Sequence, residues 1–244
     1  MNESQYRMWR TRLRQVTAAL VAEAVAAGAT CTQSGVMDCV LDPARPADGF
    51  VTPRHGAVWV PDAQVRAALD ELQAMGGPAR LRLLDGLYPP AFLVAMRRLG
   101  LQLVEERQLL LWPLDFAGDH AGSELSARPV LGREDVRHWQ QIMARRDSTP
   151  AGAQDWLMGW NGEMAGAARF GAVGGKAVRL ADWRGTGAGE DPDRSALLLT
   201  AACAAPALGA DLLFAEADDA DSRALLREIG FRDTGSLLTL EAGE

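Results

Sequence analysis

Residues that could bind a phosphate lie between Arg184 and Gly189, where a cation precedes glycines at every second position. The apolar stretch 177–183 predicts a strand that enters this turn, and Pro192 predicts the first turn of a helix after it. Glycine allows backbone conformations with positive φ and lets a ligand approach the chain closely. A helix N-terminus adds unpaired N–H groups and the positive end of a dipole. The pattern therefore indicates a phosphate-binding turn.

The order of elements around this turn resembles that of the GNAT N-acetyltransferase superfamily. Arg184, Gly187 and Gly189 match the spacing Arg-x-x-Gly-x-Gly of that family's pyrophosphate-binding signature. The family's closing elements correspond to a predicted strand at 211–218, a predicted helix at 221–229 and the pair Gly230-Phe231. The resemblance covers residues 128–240. It implies an α+β fold, in which a mixed, mainly antiparallel sheet is flanked by helices.

The resemblance also implies how acetyl-CoA, the family's cosubstrate, would be held. The backbone of the strand would pair with the pantetheine amides, and the glycine turn would contact the pyrophosphate. Asp219 falls where the family often has a CoA-contacting Asn. The implied cofactor-binding residues are Leu180, Ala181, Asp182, Trp183, Arg184, Gly185, Thr186, Gly187, Ala188, Gly189, Arg194 and Asp219.

Transfer in this family is a direct attack of an amine on the thioester, so no covalent nucleophile is implied. The protein has to orient the reactants, remove a proton and stabilise the oxyanion and thiolate. Glu216 and Asp218 follow a predicted strand, where a carboxylate could act as the base or hold an ammonium group. Water could also carry the proton. A Tyr that often protonates the thiolate in the family is replaced by Leu226, which cannot donate a proton.

An alternative is a catalytically inactive GNAT-fold binding or interaction protein that has lost CoA binding. Glu190, Asp191 and Asp193 place carboxylates at the helix N-terminus, where they would repel a pyrophosphate. The replacement at Leu226 points the same way. A Rossmann dinucleotide enzyme would need a βαβ unit and an acidic ribose ligand. The antiparallel strands that we predict before Arg184 argue against it.

An offset of 130 positions relates the two halves of the chain, as in Leu83 and Leu213 or Arg97 and Arg227. Strand, helix and strand recur at this offset, which favours a duplication. We therefore predict a degenerate GNAT-like domain at 1–114, a linker at 115–127 and an acetyltransferase domain at 128–244. A strand predicted at 57–60 runs directly into a helix at Pro61 with no glycine loop, so we expect no cofactor site in the first domain.

The composition excludes several classes of partner. The chain of 244 residues is 48% hydrophobic and 23% charged, as expected for a globular protein with a core. Residues 115–244 hold 13 Lys+Arg and 21 Asp+Glu, a net charge of −8, and this acidic half disfavours nucleic acid and anionic lipid. No apolar run approaches the roughly 20 residues that span a bilayer. We expect residues 6–27 to form an ordinary first helix rather than a leader.

Cysteine and histidine usage gives no sign of a metal or redox centre. The three cysteines are scattered without a Cys-x-x-Cys pair, which favours a reducing cytoplasm. His55, His120 and His138 are far apart, and we predict that none binds a metal. The expected partner is a small-molecule or peptide amine acceptor, bound by a monomer or a homodimer.

Overall fold

A computed structural model describes residues 3–57, 59–113, 125–143, 154–186, 194–217 and 219–243. The elements of the first half are α1 (Glu3–Ala26), β1 (Thr30–Ser34), β2 (Met37–Leu41), β3 (Phe50–Pro53), α2 (Asp62–Ala74), β4 (Arg80–Leu84), α3 (Pro90–Arg98) and β5 (Leu101–Pro113). Those of the second half are β6 (Leu125–Pro129), α4 (Arg133–Met143), β7 (Gln154–Trp160), β8 (Glu163–Phe170), β9 (Ala177–Gly185), α5 (Arg194–Ala204), β10 (Leu212–Ala217), α6 (Ala220–Glu228) and β11 (Arg232–Ala242).

Local sequence signals account for several of these boundaries. Asn161 and Gly162 have φ of 50° and 81°, and they form the tight turn that joins β7 to β8. Gly100 and Gly230 end α3 and α6 with φ of 85° and 108°, where a residue with Cβ would be strained. The two helices thus end alike at positions that differ by the repeat offset.

The described strands form one eleven-stranded mixed sheet in the order β1-β2-β3-β4-β11-β5-β10-β9-β8-β7-β6. The two halves exchange their last strands, β5 and β11, so that each lies beside strands of the other half. β11 lies between β4 and β5, and β5 lies between β11 and β10. The fold is therefore a mixed α+β structure in which helices cover one long sheet.

The centre of the sheet has an approximate two-fold symmetry that the repeat explains. In the ladder between β5 and β11, Asp233 pairs with Leu110 and Leu240 pairs with Leu103. Subtracting 130 from Asp233 gives position 103, and adding 130 to Leu110 gives position 240, so the repeat offset converts the first pair into the second. The pair Arg107↔Leu237 maps onto itself, so the axis passes there.

Two predictions about the first half and its boundary change. The strand predicted at 57–60 is wrong, because β3 ends at Pro53 and the connection to α2 contains Gly56 and the 71% exposed Trp59. The lack of a cofactor site in this half stays a prediction, but the direct passage from a strand into the helix at Pro61 no longer supports it. Residues 125–127 of the predicted linker belong to β6, which pairs with β7, and residues 115–124 lie outside the described residues. The division into two domains also stays a prediction.

Helix α1 covers the middle of one face of the sheet. Leu13 and Val16 of α1 pack against Leu109, Phe214 and Leu237 of the three central strands. The turn before β9 lies against the same helix, since a Cβ added to Gly174 would be 2.5 Å from the carbonyl oxygen of Ala18. Helices α2 and α3 cover the opposite face of the first half, and α5 and α6 that of the second. Within the described residues, no helix has the length and apolar character needed to cross a membrane.

Candidate functional site

A gap opens between β9 and β10, the two parallel strands of the second half. Their ladder holds three pairs, from Leu212↔Ala177 to Phe214↔Arg179. Beyond them, β9 continues to Gly185 and β10 to Ala217 without further pairing to each other. On this edge of β9, the described residues beyond Arg179 are therefore not paired with β10, and an extended ligand could lie between the two strands.

A β-bulge lies where β9 leaves β10. On the other edge of β9, Leu180 pairs with Phe170 and Asp182 pairs with Arg169, so the exposed Ala181 is an extra residue in the ladder. A bulge bends its strand and redirects the backbone and side chains beside it. The bend therefore helps to open the gap.

The end of β9 is held close to α5 by two glycines. A Cβ added to Gly166 would lie 2.6 Å from the carbonyl oxygen of Arg184, and one added to Gly185 would lie 3.1 Å from Leu197 Cδ1. Thr186 N donates to the carbonyl of Ala165 at 3.0 Å. These contacts bring the first turns of α5 to the mouth of the gap.

Five alternately charged side chains, four from the sheet and one from α1, lie beside the gap. We call Glu23–Arg179–Glu216–Arg107–Glu105 the ion-pair chain. Glu216, whose side chain is 9% exposed, is in the middle. Its Oε2 accepts from Arg107 Nη1 at 3.0 Å, and its Oε1 accepts from Arg179 Nη1 at 3.2 Å. Glu23 accepts from Arg179 Nε at 2.9 Å, and Glu105 accepts from Arg107 Nε at 2.8 Å.

The ion pairs shift the pKa values of Arg107, Arg179 and Glu105 in the directions that keep these three groups charged. The hydrogen bonds that Arg107 donates to Glu216 and Glu105 raise the pKa of Arg107, and the bond with Arg107 lowers the pKa of Glu105. Burial alone would lower the pKa of Arg179, but Glu23 and Glu216 outweigh it and raise that pKa. Arg107, Arg179 and Glu105 are therefore ionised near neutral pH.

The ion-pair chain forms one side of a cleft of about 260 Å³ between α1 and the sheet, which we call the central cleft. It is lined by Glu23 of α1, Phe50 of β3, Arg82 of β4, Arg107 of β5, Arg179 of β9 and Glu216 of β10. Arg107 belongs to the pair on the two-fold axis, so the cleft lies at the meeting of the two halves. Glu216 lies on the strand that borders both the cleft and the gap.

Solved structures of similar overall fold identify the architecture. A GCN5-related N-acetyltransferase from Kribbella flavida is 16% identical with a TM-score of 0.65, over 93% of this chain and 96% of that one. A tandem GNAT protein from the clavulanic acid biosynthesis pathway is 12% identical with a TM-score of 0.57, over 100% and 97%. A GCN5-related N-acetyltransferase from Sphaerobacter thermophilus is 13% identical with a TM-score of 0.53, over 94% and 90%.

The fold is GNAT-like. No protein-family model and no curated protein matches the chain by sequence. The resemblance inferred from the glycine turn is thus confirmed at the level of the fold.

The GNAT-like fold brings together part of the predicted cofactor site. Leu180 is buried in the core beneath α5, while Ala181 to Gly185 continue β9 beyond its last pair with β10 and Thr186 follows the strand. Asp182 Oδ1 accepts from Trp183 N at 2.9 Å and lies 4.0 Å from Nε of the half-exposed Arg184. Gly187, Ala188, Gly189, Glu190, Asp191, Asp193 and Asp218 lie outside the described residues, as does the side chain of Arg194 at the start of α5.

Two predicted positions have clear structural roles in this GNAT-like fold. Asp219 is the N-cap of α6, where it accepts from Ser222 N at 2.6 Å and from Ser222 Oγ at 3.1 Å. Leu226 is 2% exposed within the core that α5 and α6 share. The contact of Asp219 with a cofactor stays a prediction.

Sequence reasoning missed Glu23, Arg82, Arg107 and Arg179, which line the central cleft. One signal for the arginines was available. Arg82 and Arg179 interrupt short apolar stretches of the sequence, at positions where period-two alternation points to a covered face. A charge at such a position has to meet a partner or a ligand.

Proposed function

We propose that the protein transfers an acetyl group from acetyl-CoA to an amine by direct attack. The observation that carries this proposal is the separation of β9 from β10 after three parallel pairs, with the bulge at Ala181. An extended chain with amide groups, such as pantetheine, can pair with an open strand edge as an added strand would. The GNAT acetyltransferases that share the fold support the same reading.

The proposed reaction needs no covalent intermediate on the protein. The amine nitrogen attacks the thioester carbonyl, the carbon–sulfur bond breaks, and CoA leaves as the thiolate. The amine proton passes to Glu216 or to water, and the thiolate takes a proton from solvent. Each carboxylate oxygen has a second lone pair, so Glu216 can hold an incoming ammonium while both arginines remain bound.

The second candidate is the inactive binding protein with the same fold. It is favoured by the two arginines that occupy Glu216, and by Leu226, which is core and supplies no proton donor. The two candidates differ in one measurable property, namely binding of the cosubstrate.

A thermal-shift titration with acetyl-CoA separates these candidates. We expect acetyl-CoA to raise the melting temperature, and acetyl-pantetheine, which lacks the nucleotide, to compete for the same site with lower affinity. Adenosine bisphosphate serves as the control for binding through the nucleotide alone. Release of free CoA on addition of amines then reports transfer. If acetyl-CoA at millimolar concentration neither shifts the melting temperature nor is consumed, the transferase proposal is wrong.

Partners and location are further parts of the proposal. We favour a small-molecule amine over a peptide, since about 260 Å³ lies below the usual range for drug-sized ligands. The acceptor would bind to a monomer or a homodimer in the cytoplasm. The free thiols of Cys31 and Cys39, on the neighbouring strands β1 and β2, suit a reducing compartment.

A further inference from the structure

Arg82 of β4 is a cation in the central cleft that Glu105 and Glu216 attract only from beyond ion-pair distance. No carboxylate of the described residues forms an ion pair with it, although Arg80 and Arg107 on the same face do have such partners. Its Nε is buried and has no acceptor within the described part of the chain. Burial lowers the pKa of Arg82, which reflects the cost of holding this charge away from water.

The orientation of Arg82 is fixed by its neighbour Phe50. The guanidinium carbon lies 4.6 Å from the centroid of the Phe50 ring, which is itself buried. Cation–π stacking of this kind holds the guanidinium plane and leaves its edge free to donate. A fixed guanidinium edge matches the two oxygens of a carboxylate.

The other end of the cleft has the opposite charge. The ion-pair chain contains three carboxylates and two guanidinium groups, so it carries one surplus negative charge. Arg82 supplies one positive charge opposite it, and the lining of the cleft is neutral as a whole. A ligand with one positive and one negative end would neutralise both regions.

The strand order sets the separation of the two ends. Arg82 pairs with Thr239 and Thr239 pairs with Glu105, and Glu216 lies one strand beyond, on β10. Three strand spacings correspond to about 14 Å between the backbones. Glu105, the nearer end of the ion-pair chain, lies two strand spacings from Arg82 and Glu216 lies three, so a ligand that contacts both Arg82 and Glu216 has to be elongated.

We propose that the amine acceptor is a zwitterion whose carboxylate binds Arg82 and whose amine lies against the ion-pair chain beside Glu216. This inference rests on the proposed function for the meaning of the amine end. The carboxylate site itself stands on Arg82, Phe50 and the charge of the cleft. Before attack, the ammonium loses its proton to Glu216 or to water.

The test measures binding of a graded set of probes to the full chain by calorimetry. The probes are glycine, β-alanine, aminobutyrate and aminohexanoate, the corresponding amides, and inorganic phosphate. We expect a carboxylate-bearing amine to bind and its amide to bind at least tenfold more weakly. Arg82→Met, which keeps the apolar stem, is expected to weaken that binding about ten- to hundredfold.

Two variants control for damage to the fold. Arg80→Met lies on the same strand but pairs with Glu241, so it should leave probe binding unchanged. Arg82→Lys keeps the charge and loses the planar fork, and we expect binding between that of wild type and Arg82→Met. Arg82→Lys also provides the test of the anion site if Arg82→Met does not fold. Removal of an unpaired buried cation should in addition raise the melting temperature of the ligand-free Arg82→Met protein.

The outcomes separate this inference from the proposed function. Arg82→Met should bind acetyl-CoA as wild type does, because the gap beside β9 lies at the other end. Binding of acetyl-CoA without binding of any carboxylate-bearing amine would overturn the zwitterion proposal and leave acetyl transfer standing. Probe binding that needs Arg82, without acetyl-CoA binding, would leave the anion site and overturn the transferase. Binding of phosphate alone, or equal affinities in Arg82→Met and wild type, would also overturn the carboxylate assignment.

Discussion

At the scale of residues, the central cleft is organised by Glu216 and the two arginines that bind its carboxylate. Glu216 is nearly buried, and each of its oxygens accepts a hydrogen bond from an arginine, so the group is anchored on both sides. A carboxylate held in this way is suited to orienting an ammonium group. Its contribution to stability and its contribution to transfer can be measured separately.

Glu216→Gln should lower both the rate of acetyl transfer and the stability of the fold. The amide keeps one acceptor oxygen but loses the charge that Arg107 and Arg179 share. We expect kcat/KM for acetyl transfer to fall at least tenfold with the Kd for acetyl-CoA unchanged, and the protein to lose about 1–3 kcal/mol of stability in urea. Glu163→Gln, at the exposed start of β8, is the matched control and should change neither. An unchanged kcat/KM in a stable Glu216→Gln protein would assign this residue to structure alone.

The carboxyl group of Asp135 in α4 offers a test of the electrostatics away from the site. The hydrogen bond from Arg128, with a second from the Leu131 amide, holds its pKa at about 2. Because this value lies below that of the unfolded chain, the pair stabilises the fold above about pH 4, and the effect is lost as the pH falls through about 2. The carboxyl carbon should titrate near 2 by NMR.

Arg128→Gln should move the Asp135 midpoint part of the way back towards 3.8, because the Leu131 bond remains. Arg137→Gln, on the same helix, should leave it in place. An Asp135 midpoint that is unchanged in Arg128→Gln would show that the hydrogen bond from Arg128 does not lower this pKa.

At the scale of elements, α1 acts as the wall of the central cleft because a glycine lets it approach β9. Gly174→Val would place its Cβ 2.5 Å from the Ala18 carbonyl, which is backbone and cannot swing away. We expect a loss of about 1–3 kcal/mol in urea unfolding and weaker binding of any ligand in the cleft. Gly132→Ala, whose Cβ meets no atom within 4 Å, is the control. Equal stability of the two variants would show that α1 is free to shift.

Elements with local signals were predictable from the sequence, and those that depend on distant pairing were not. The pair Asn161-Gly162 is a hairpin signal, and it joins β7 to β8. The helix predicted at 221–229 corresponds to α6, and α3 precedes it by about the repeat offset, since turn geometry and helix periodicity are local. The strand at 57–60 was wrong because a short apolar run next to Pro61 is equally compatible with an irregular connection that buries Val60. The ion-pair chain joins α1 to three strands far apart in sequence, and no spacing rule links its members.

At the scale of the whole molecule, the exchange of β5 and β11 ties the two halves together. Each half alone would lack the strand that completes its part of the sheet. We therefore predict a single cooperative unfolding transition in urea, detected alike by Trp fluorescence and circular dichroism.

Cleavage at a protease site inserted within 114–124 should leave the two pieces associated on gel filtration. Either piece expressed alone should unfold or aggregate, because long unpaired strand edges invite wrong pairing. Uncut chain with the same insertion is the control. Two separate transitions, or two pieces that fold independently as monomers, would contradict this view and support independent domains.

The same exchange has a consequence for biosynthesis. The ribosome delivers β4 and β5 long before β11, whose first residue, Arg232, follows the last residue of β5 by more than a hundred positions. At about 5–20 residues per second, the place that β11 will fill stays open for roughly ten seconds. During that time the long edge of β5 is a target for chaperones and for neighbouring nascent chains on the same message. Expression should therefore respond to translation speed and chaperone supply more strongly than the equilibrium stability of the finished protein would suggest.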